Sequence, residues 1–278
     1  MAPMTSPRYV HLRLHSEYSV TDGIVRIGDA VKRAAGDGMP AMAVTDLGNL
    51  FGLVKFYTGA RGKGVKPIAG ADVWIANPDT PEDAHRLLLL ARNRIGYQQL
   101  CELLTKAYLV EGRRDRAEIR REWFSEIGSD GLIALSGAHL GDVGEALLNG
   151  NFDLATERAQ AWEAIFPGAF YLEVQRYGQP QQEAVVQQTA DLAGETGIPL
   201  VATHPIQFLN RDDFQAHEAR VCIAEGYVLG DSRRPKIYTA EQYFKTQAEM
   251  AELFADLPEA LENTLEIAKR CNIEMTLG

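Results

Sequence analysis

Seven short apolar runs recur along the chain, most of them followed by a stretch with helical spacing. They are "YVHLRLH" (9–15), "PAMAVTD" (40–46), "KPIAGADVWIA" (66–76), "HRLLLLAR" (85–92), "GLIALSG" (131–137), "FYLEVQRYG" (170–178) and "IPLVATHP" (198–205). Between them, segments such as "VRIGDAVKRAAGDG", "LVKFYTGARGKG" and "QPQQEAVVQQTADLAGETG" place apolar residues three and four apart, and several end in Gly, as helix C-termini do. Strand, helix, strand in repetition calls for a parallel sheet with right-handed crossovers. Seven strands by residue 205 point to an α/β fold closed or nearly closed on itself, a distorted seven-stranded (β/α)7 TIM-like barrel. An open doubly wound sheet is the alternative, but no GxGxxG follows the first run.

After Phe208 the pattern changes. "RDDFQAHEARVCIAEG" and "TQAEMAELFADLPEALENTLEIAKRCN" read as helices, with Pro258 suited to a first turn. The chain therefore divides into a barrel, 1–210, and a helical extension, 211–278.

The ends of the apolar runs carry His15, Asp46, Asp72, Ser136, Tyr177 and His204. A following turn explains one or two polar strand ends. Convergence on the mouth of a barrel explains all six. The first run also alternates, with Tyr9, His11, Arg13 and His15 against Val10, Leu12 and Leu14. A His-x-His pair there would suit a metal ion, but Arg13 has no acceptor lone pair. His11 cannot replace it, because residues four apart on a strand are about 13 Å apart. A guanidinium among Asp22, Asp46 and Asp72 would instead balance their charge.

The formal net charge is -10, which argues against a surface that grips DNA phosphates broadly. One basic run, "EGRRDRAEIRREW" (111–123), interleaves acids and bases at helical spacing and reads as a solvated helix face. Cys101, Cys222 and Cys271 are scattered and odd in number, as expected of core thiols in a reducing compartment. No apolar run reaches the length of a membrane span, and "MAPMTSPRY" has no apolar core of a secretory signal, so a cytoplasmic protein is expected.

Seven segments then become recognisable in order: "HLRLHSEYSVTDG", "AVTDLGNLFGLVKFY", "GVKPIAGADVWIA", "LIALSG", "YLEVQRYGQPQQ", "LVATHPIQFL" and "LFADLPEALENTLEIAKRCN". Over residues 8–278 the chain resembles the N-terminal polymerase and histidinol phosphatase (PHP) domain of bacterial DNA polymerase III alpha subunits. The resemblance implies the distorted barrel. It also implies a mouth at which, in metal-binding members, nine side chains hold up to three ions. Carried over position by position, the opening histidine pair falls on Arg13 and His15, and the next aspartate on Asp22. The histidine after "TD" falls on Leu47, and the glutamate ending the third strand on Asp72. The residue after "LSG" falls on Ala138, with His139 one step out of register. The next histidine falls on Tyr177, and the closing Asp-x-His on Pro205 and Gln207. His15 and Asp22 match, and Asp72 is a shorter substitute.

The expected site is thus a remnant pocket of Arg13, His15, Asp22, Asp46, Leu47, Asp72, Ala138, Tyr177, Pro205 and Gln207, with no metal, no cofactor and no catalytic residue. The resemblance further implies a non-catalytic scaffold that binds the proofreading exonuclease (epsilon) subunit and supports the polymerase core of the same chain. It implies contact with DNA only indirectly, and a monomeric fragment. Nucleotidyl transfer, with its aspartates and Mg, would belong to the downstream core. Two competing expectations are a metal-dependent phosphoesterase (3′–5′ exonuclease or pyrophosphatase) and a free-standing barrel enzyme.

Overall fold

The computed structural model describes residues 9–78, 80–110 and 116–276. Its elements begin with α1 (Ile27–Gly36), β1 (Ala41–Val44), α2 (Leu53–Arg61), β2 (Lys66–Ile75), β3 (His85–Ala91) and α3 (Arg94–Leu109). Then come β4 (Glu118–Ile119), α4 (Trp123–Ile127), β5 (Leu132–Leu135), α5 (Asp142–Leu148), α6 (Phe152–Ile165) and β6 (Phe170–Val174). The last are α7 (Gln182–Thr196), β7 (Leu200–Ala202), α8 (Phe214–Glu225), α9 (Gln247–Leu253) and α10 (Pro258–Arg270). Six of the seven expected strands form, and the sheet runs β1-β2-β3-β5-β6-β7, with β4 beside the far end of β2.

The sheet is mixed rather than parallel. β3 is antiparallel to both β2 and β5, whereas β1-β2, β5-β6 and β6-β7 are parallel. The reason is length. The link 76–84 is too short for the dozen or more residues of a crossover, so β3 folds straight back on β2.

The first apolar run is not a regular strand. It lies between β1 and the residues after β7, and joins them. Ala43 N–H donates to His11 O (2.8 Å), Thr45 N–H to Leu14 O (2.9 Å) and His15 N–H to Ile206 O (2.9 Å). Three residues of this run advance against two of β1, a bulge that breaks the expected alternation. His11 consequently turns away from Arg13 and His15. Its Nε2 donates to Lys245 O at 2.7 Å, and its ring packs edge-on to Phe244. Burial keeps this imidazole neutral, lowering it to about 4.

Helices cover the outside. α1 buries Ile27, Ala30, Val31 and Ala34, a single stripe at three- and four-residue spacing. The chain after residue 210 supplies the helices α8, α9 and α10, and α10 packs on the barrel. It buries Ala260, Leu261, Ile267 and Ala268, and Asn263 Nδ2 donates to Leu200 O of β7 at 2.7 Å. Val10 N–H in turn donates to Thr264 Oγ1 at 3.1 Å.

The basic run also departs from the helix expected of it. Residues 111–115 lie outside the described residues, and Glu118–Ile119 is strand, not helix, paired with Trp74 and Ile75. Its arginines stack on tryptophans: Arg116 over Trp74, Arg120 over Trp123 and Arg121 over Trp162. The cysteines are free thiols, Cys222 and Cys271 buried and Cys101 half-buried. Among the described residues, no helix is long and apolar enough to cross a membrane.

Candidate functional site

The strand ends converge on a cavity of ≈ 600 Å³ at the barrel mouth, lined among others by Arg13, His15, Asp22, Leu47, Asp72, Tyr177, Pro205 and Gln207. Eight of the ten expected positions therefore meet. Asp46 and Ala138 do not line the cavity. Asp46 points back to the first turn, where it accepts from Ser16 N–H (2.6 Å) and Ser16 Oγ–H (2.9 Å). Burial raises its carboxyl to about 6. Ala138 follows Gly137 in a left-handed turn (φ 50° and 81°), and this turn sends His139 to the mouth in its place. There His139 Nε2 lies 3.0 Å from the Tyr177 hydroxyl.

Arg13 is buried at the centre. Its Nε and Nη2 fork onto Glu173 Oε1 and Oε2, each at 2.9 Å, and its Nη1 donates to Asp72 Oδ2. It thus pairs with one of the three aspartates expected, and with a glutamate that the alignment of positions did not supply. Glu173 sits in β6. It also accepts from Gln175 Nε2 (3.0 Å), Gly137 N–H (3.0 Å) and Thr203 Oγ–H.

Asp72 has a second cation. Arg86 stands opposite Trp74 on β3, diagonal to Asp72, and a long side chain spans that diagonal. Its Nε and Nη2 donate to the two oxygens of Asp72, while its guanidinium lies over the Trp74 ring. Burial alone would raise the Asp72 carboxyl, but Arg13 and Arg86 hold it well below the usual carboxylate range.

His15 completes the network. Nδ1 donates to Asp22 Oδ2 (2.8 Å) and Nε2 to Asp72 Oδ2 (3.2 Å), and Asp22 Oδ1 accepts from Ser19 Oγ–H at 2.6 Å. Burial pulls the imidazole toward neutrality, yet Asp22 and Asp72 outweigh it and raise it to about 9. Its folded value lies above the unfolded 6.5, so its stabilisation is fully present below pH 6.5 and is lost as pH rises through about 9. The protein is expected to exceed His15→Gln in unfolding free energy by on the order of 2 kcal/mol at pH 6, the scale of one charge-assisted hydrogen bond. Urea titrations should show that gap shrinking between pH 6.5 and about 9. A gap independent of pH would show that His15 is held neutral.

The arrangement does not suit a metal ion. Both oxygens of Asp72 and of Glu173 accept from guanidinium groups, and His15 donates from both nitrogens. Among the described residues, no group of three or more His, Cys, Asp or Glu side chains is placed to hold one. Above the mouth, the segment after α8 contributes Lys236, Ile237 and Tyr238, tied down by Gln179 Nε2 to Ile237 O and Thr239 Oγ–H to Tyr177 O.

Gly137 holds this geometry in two ways. Its φ of 81° is left-handed, and a Cβ there would meet the Arg86 carbonyl oxygen at 2.3 Å. Gly137→Ala should therefore cost about 1–3 kcal/mol from the backbone conformation alone, with the clash added, in a urea melt. A loss under half a kilocalorie would mean that the turn rebuilds freely.

Arg86 and Glu173 are the members of the site that sequence reasoning missed. Each had a signal, a lone charge inside an otherwise apolar strand, and such a charge is buried only with a partner.

A strand-end network of this kind, on a curled sheet wrapped by helices, defines the class. The chain matches the PHP domain family over residues 11–177 and belongs to it. At the level of single proteins, it is 54% identical over 277 residues to a DNA polymerase III subunit alpha of Neisseria meningitidis, covering 99% of this chain and 24% of that protein. The corresponding subunit of Escherichia coli K12 is 46% identical over 275 residues, with 99% and 24% covered. The chain thus spans about a quarter of the length of these relatives and corresponds to their N-terminal PHP domain. Among solved structures, an amidohydrolase from Chromobacterium violaceum, with bound sulfate and no metal, aligns at a TM-score of 0.49 and 15% identity, over 76% of this chain and 96% of that one.

Proposed function

We propose that this domain is a non-catalytic PHP scaffold of a replicative DNA polymerase III alpha subunit in the cytoplasm. In this reading it holds the proofreading exonuclease subunit and supports the polymerase core of the same polypeptide, and it meets DNA only through them. One observation carries the non-catalytic reading: Arg13 forks onto Glu173 and reaches Asp72, so a fixed guanidinium occupies the place of an ion. A phosphoesterase of this family needs ions to activate water and to stabilise the leaving oxygen. Here the carboxylates that would bind them are already paired.

The test has two arms. Protein purified without chelator is expected to carry less than one equivalent of transition metal and to show no hydrolysis of a phosphodiester above buffer with added manganese or zinc. It is also expected to form a complex with the cognate exonuclease subunit in a titration followed by gel filtration. One or more tightly held ions per chain would overturn the non-catalytic reading. Absence of the complex would overturn the scaffold reading.

A further inference from the structure

We propose that an apolar ledge at the start of α2, formed by Val20, Phe51 and Val54, is the docking surface for the polypeptide that follows residue 278 in the longer chain. This rests on the reading above in that such a downstream part must exist.

Three large apolar side chains of the ledge are exposed. Val20 is 59%, Phe51 69% and Val54 53% accessible. Phe51 lies in the turn that leads into α2, and Val54 in its first turn, on a helix face whose later positions are Thr58 and Arg61. Val20 follows a turn whose Tyr18 and Ser19 are tied to the same region. Asn49 Nδ2 donates to Tyr18 O, Leu47 N–H to Ser19 Oγ, and Lys55 lies over the Tyr18 ring. The ledge continues toward the end of α3, where the Tyr108 hydroxyl comes within 3.5 Å of a Cβ built on Gly48 and where Tyr108 and Leu109 are exposed. A rigid, partly helical surface with several exposed apolar groups marks a contact site.

The occupant is indicated by the course of the chain. After α10 the backbone runs back to α2: Ile273 is buried, and Met275 N–H donates to the Tyr57 hydroxyl at 3.1 Å. A cleft of ≈ 450 Å³ lined by Tyr57, Arg61, Lys66 and Ile273 opens beside this point. Four helical steps, about 6 Å of rise, separate Tyr57 from Leu53 at the start of α2, two residues after Phe51. Relatives in which this chain is 24% of the length have a large body of protein to place there. A contact next to the covalent connection gains from a high effective concentration, so a modest apolar ledge is enough.

A second exposed apolar group, Ile223, Val228, Leu229 and Ile237 around α8, has no such connection to the chain end and serves as the control. The experiment uses the full-length polypeptide with no other protein added. Val54→Cys and Ile223→Cys are labelled with a maleimide, and each site is read by peptide mass spectrometry. Val54→Cys is expected to react about tenfold or more slowly than Ile223→Cys, because labelling waits on opening of the contact. The two rates should become equal in denaturant. Equal native rates would overturn the proposal. Slowing that disappears on dilution would also overturn it, by assigning the ledge to a second copy. Complex formation with the exonuclease subunit, measured on the same samples, reports separately on the scaffold reading. That complex should form whether or not Val54 is covered.

Discussion

Arg13→Ala is expected to lower the unfolding free energy by about 3–5 kcal/mol, the cost of removing one partner from a buried ion pair. The loss falls unevenly. Asp72 retains Arg86, whereas Arg13 is the cation that forks onto Glu173, whose remaining donors are Gln175, Thr203 and the Gly137 N–H. Neutralising the abandoned acid should therefore recover part of the loss. Arg13→Ala with Glu173→Gln is expected to be more stable than Arg13→Ala alone by at least about 1 kcal/mol, the usual size of coupling between residues in one network. Urea denaturation of the two single variants and the double variant measures this. Additive losses would show that Arg13 and Glu173 are not coupled and that the guanidinium merely fills space.

The second large effect is the return of metal binding. Arg13→His, Leu47→His, Tyr177→His and Gln207→His place imidazoles around one cavity, and all four positions line it. Ala138 is left unchanged because it does not line this cavity, and His139 already stands at the mouth. Arg86→Gln belongs in the set, since an ion approaching Asp72 would otherwise meet a cation hydrogen bonded to both carboxylate oxygens. Zinc at a hundred times its dissociation constant should then stabilise the fold by about 2.7 kcal/mol. A thermal melt with and without zinc reads the effect, beside the unaltered protein, which should not respond. A folded variant indifferent to zinc would mean that the backbone at the mouth no longer presents side chains to a common centre.

The barrel was legible because its strands are short apolar runs with turn signals, and those signals are local. What the runs do not encode is direction. "HRLLLLAR" pairs equally well either way, and only the short link 76–84 sets β3 antiparallel. Eight mouth positions could be placed because strand ends converge whatever the register. Asp46 and Ala138 were misplaced by backbone details, a carboxylate bound to Ser16 and a turn through positive φ. The bulge between His11 and Leu14 was hidden for the same reason, since the residues alternate as a flat strand would. Arg86 and Glu173 were written in the sequence as charges within apolar strands. Naming their partners required knowing that β2, β3 and β6 bring their ends together.

The hydrogen bonds from Tyr9 N–H to Gln247 and from Val10 N–H to Thr264 join residues 238 and 254 positions apart. During synthesis on a ribosome, at about 5–20 residues per second, this seam waits roughly 13–50 s for its second half. Through that interval the segment carrying Arg13 and His15 has no α10 to rest on, although β1 and Asp72 have already emerged. A nascent chain that has not yet reached Thr264 lacks the acceptor for the Val10 N–H. Completion of the mouth thus waits on the arrival of α10 rather than on the appearance of the residues that form it.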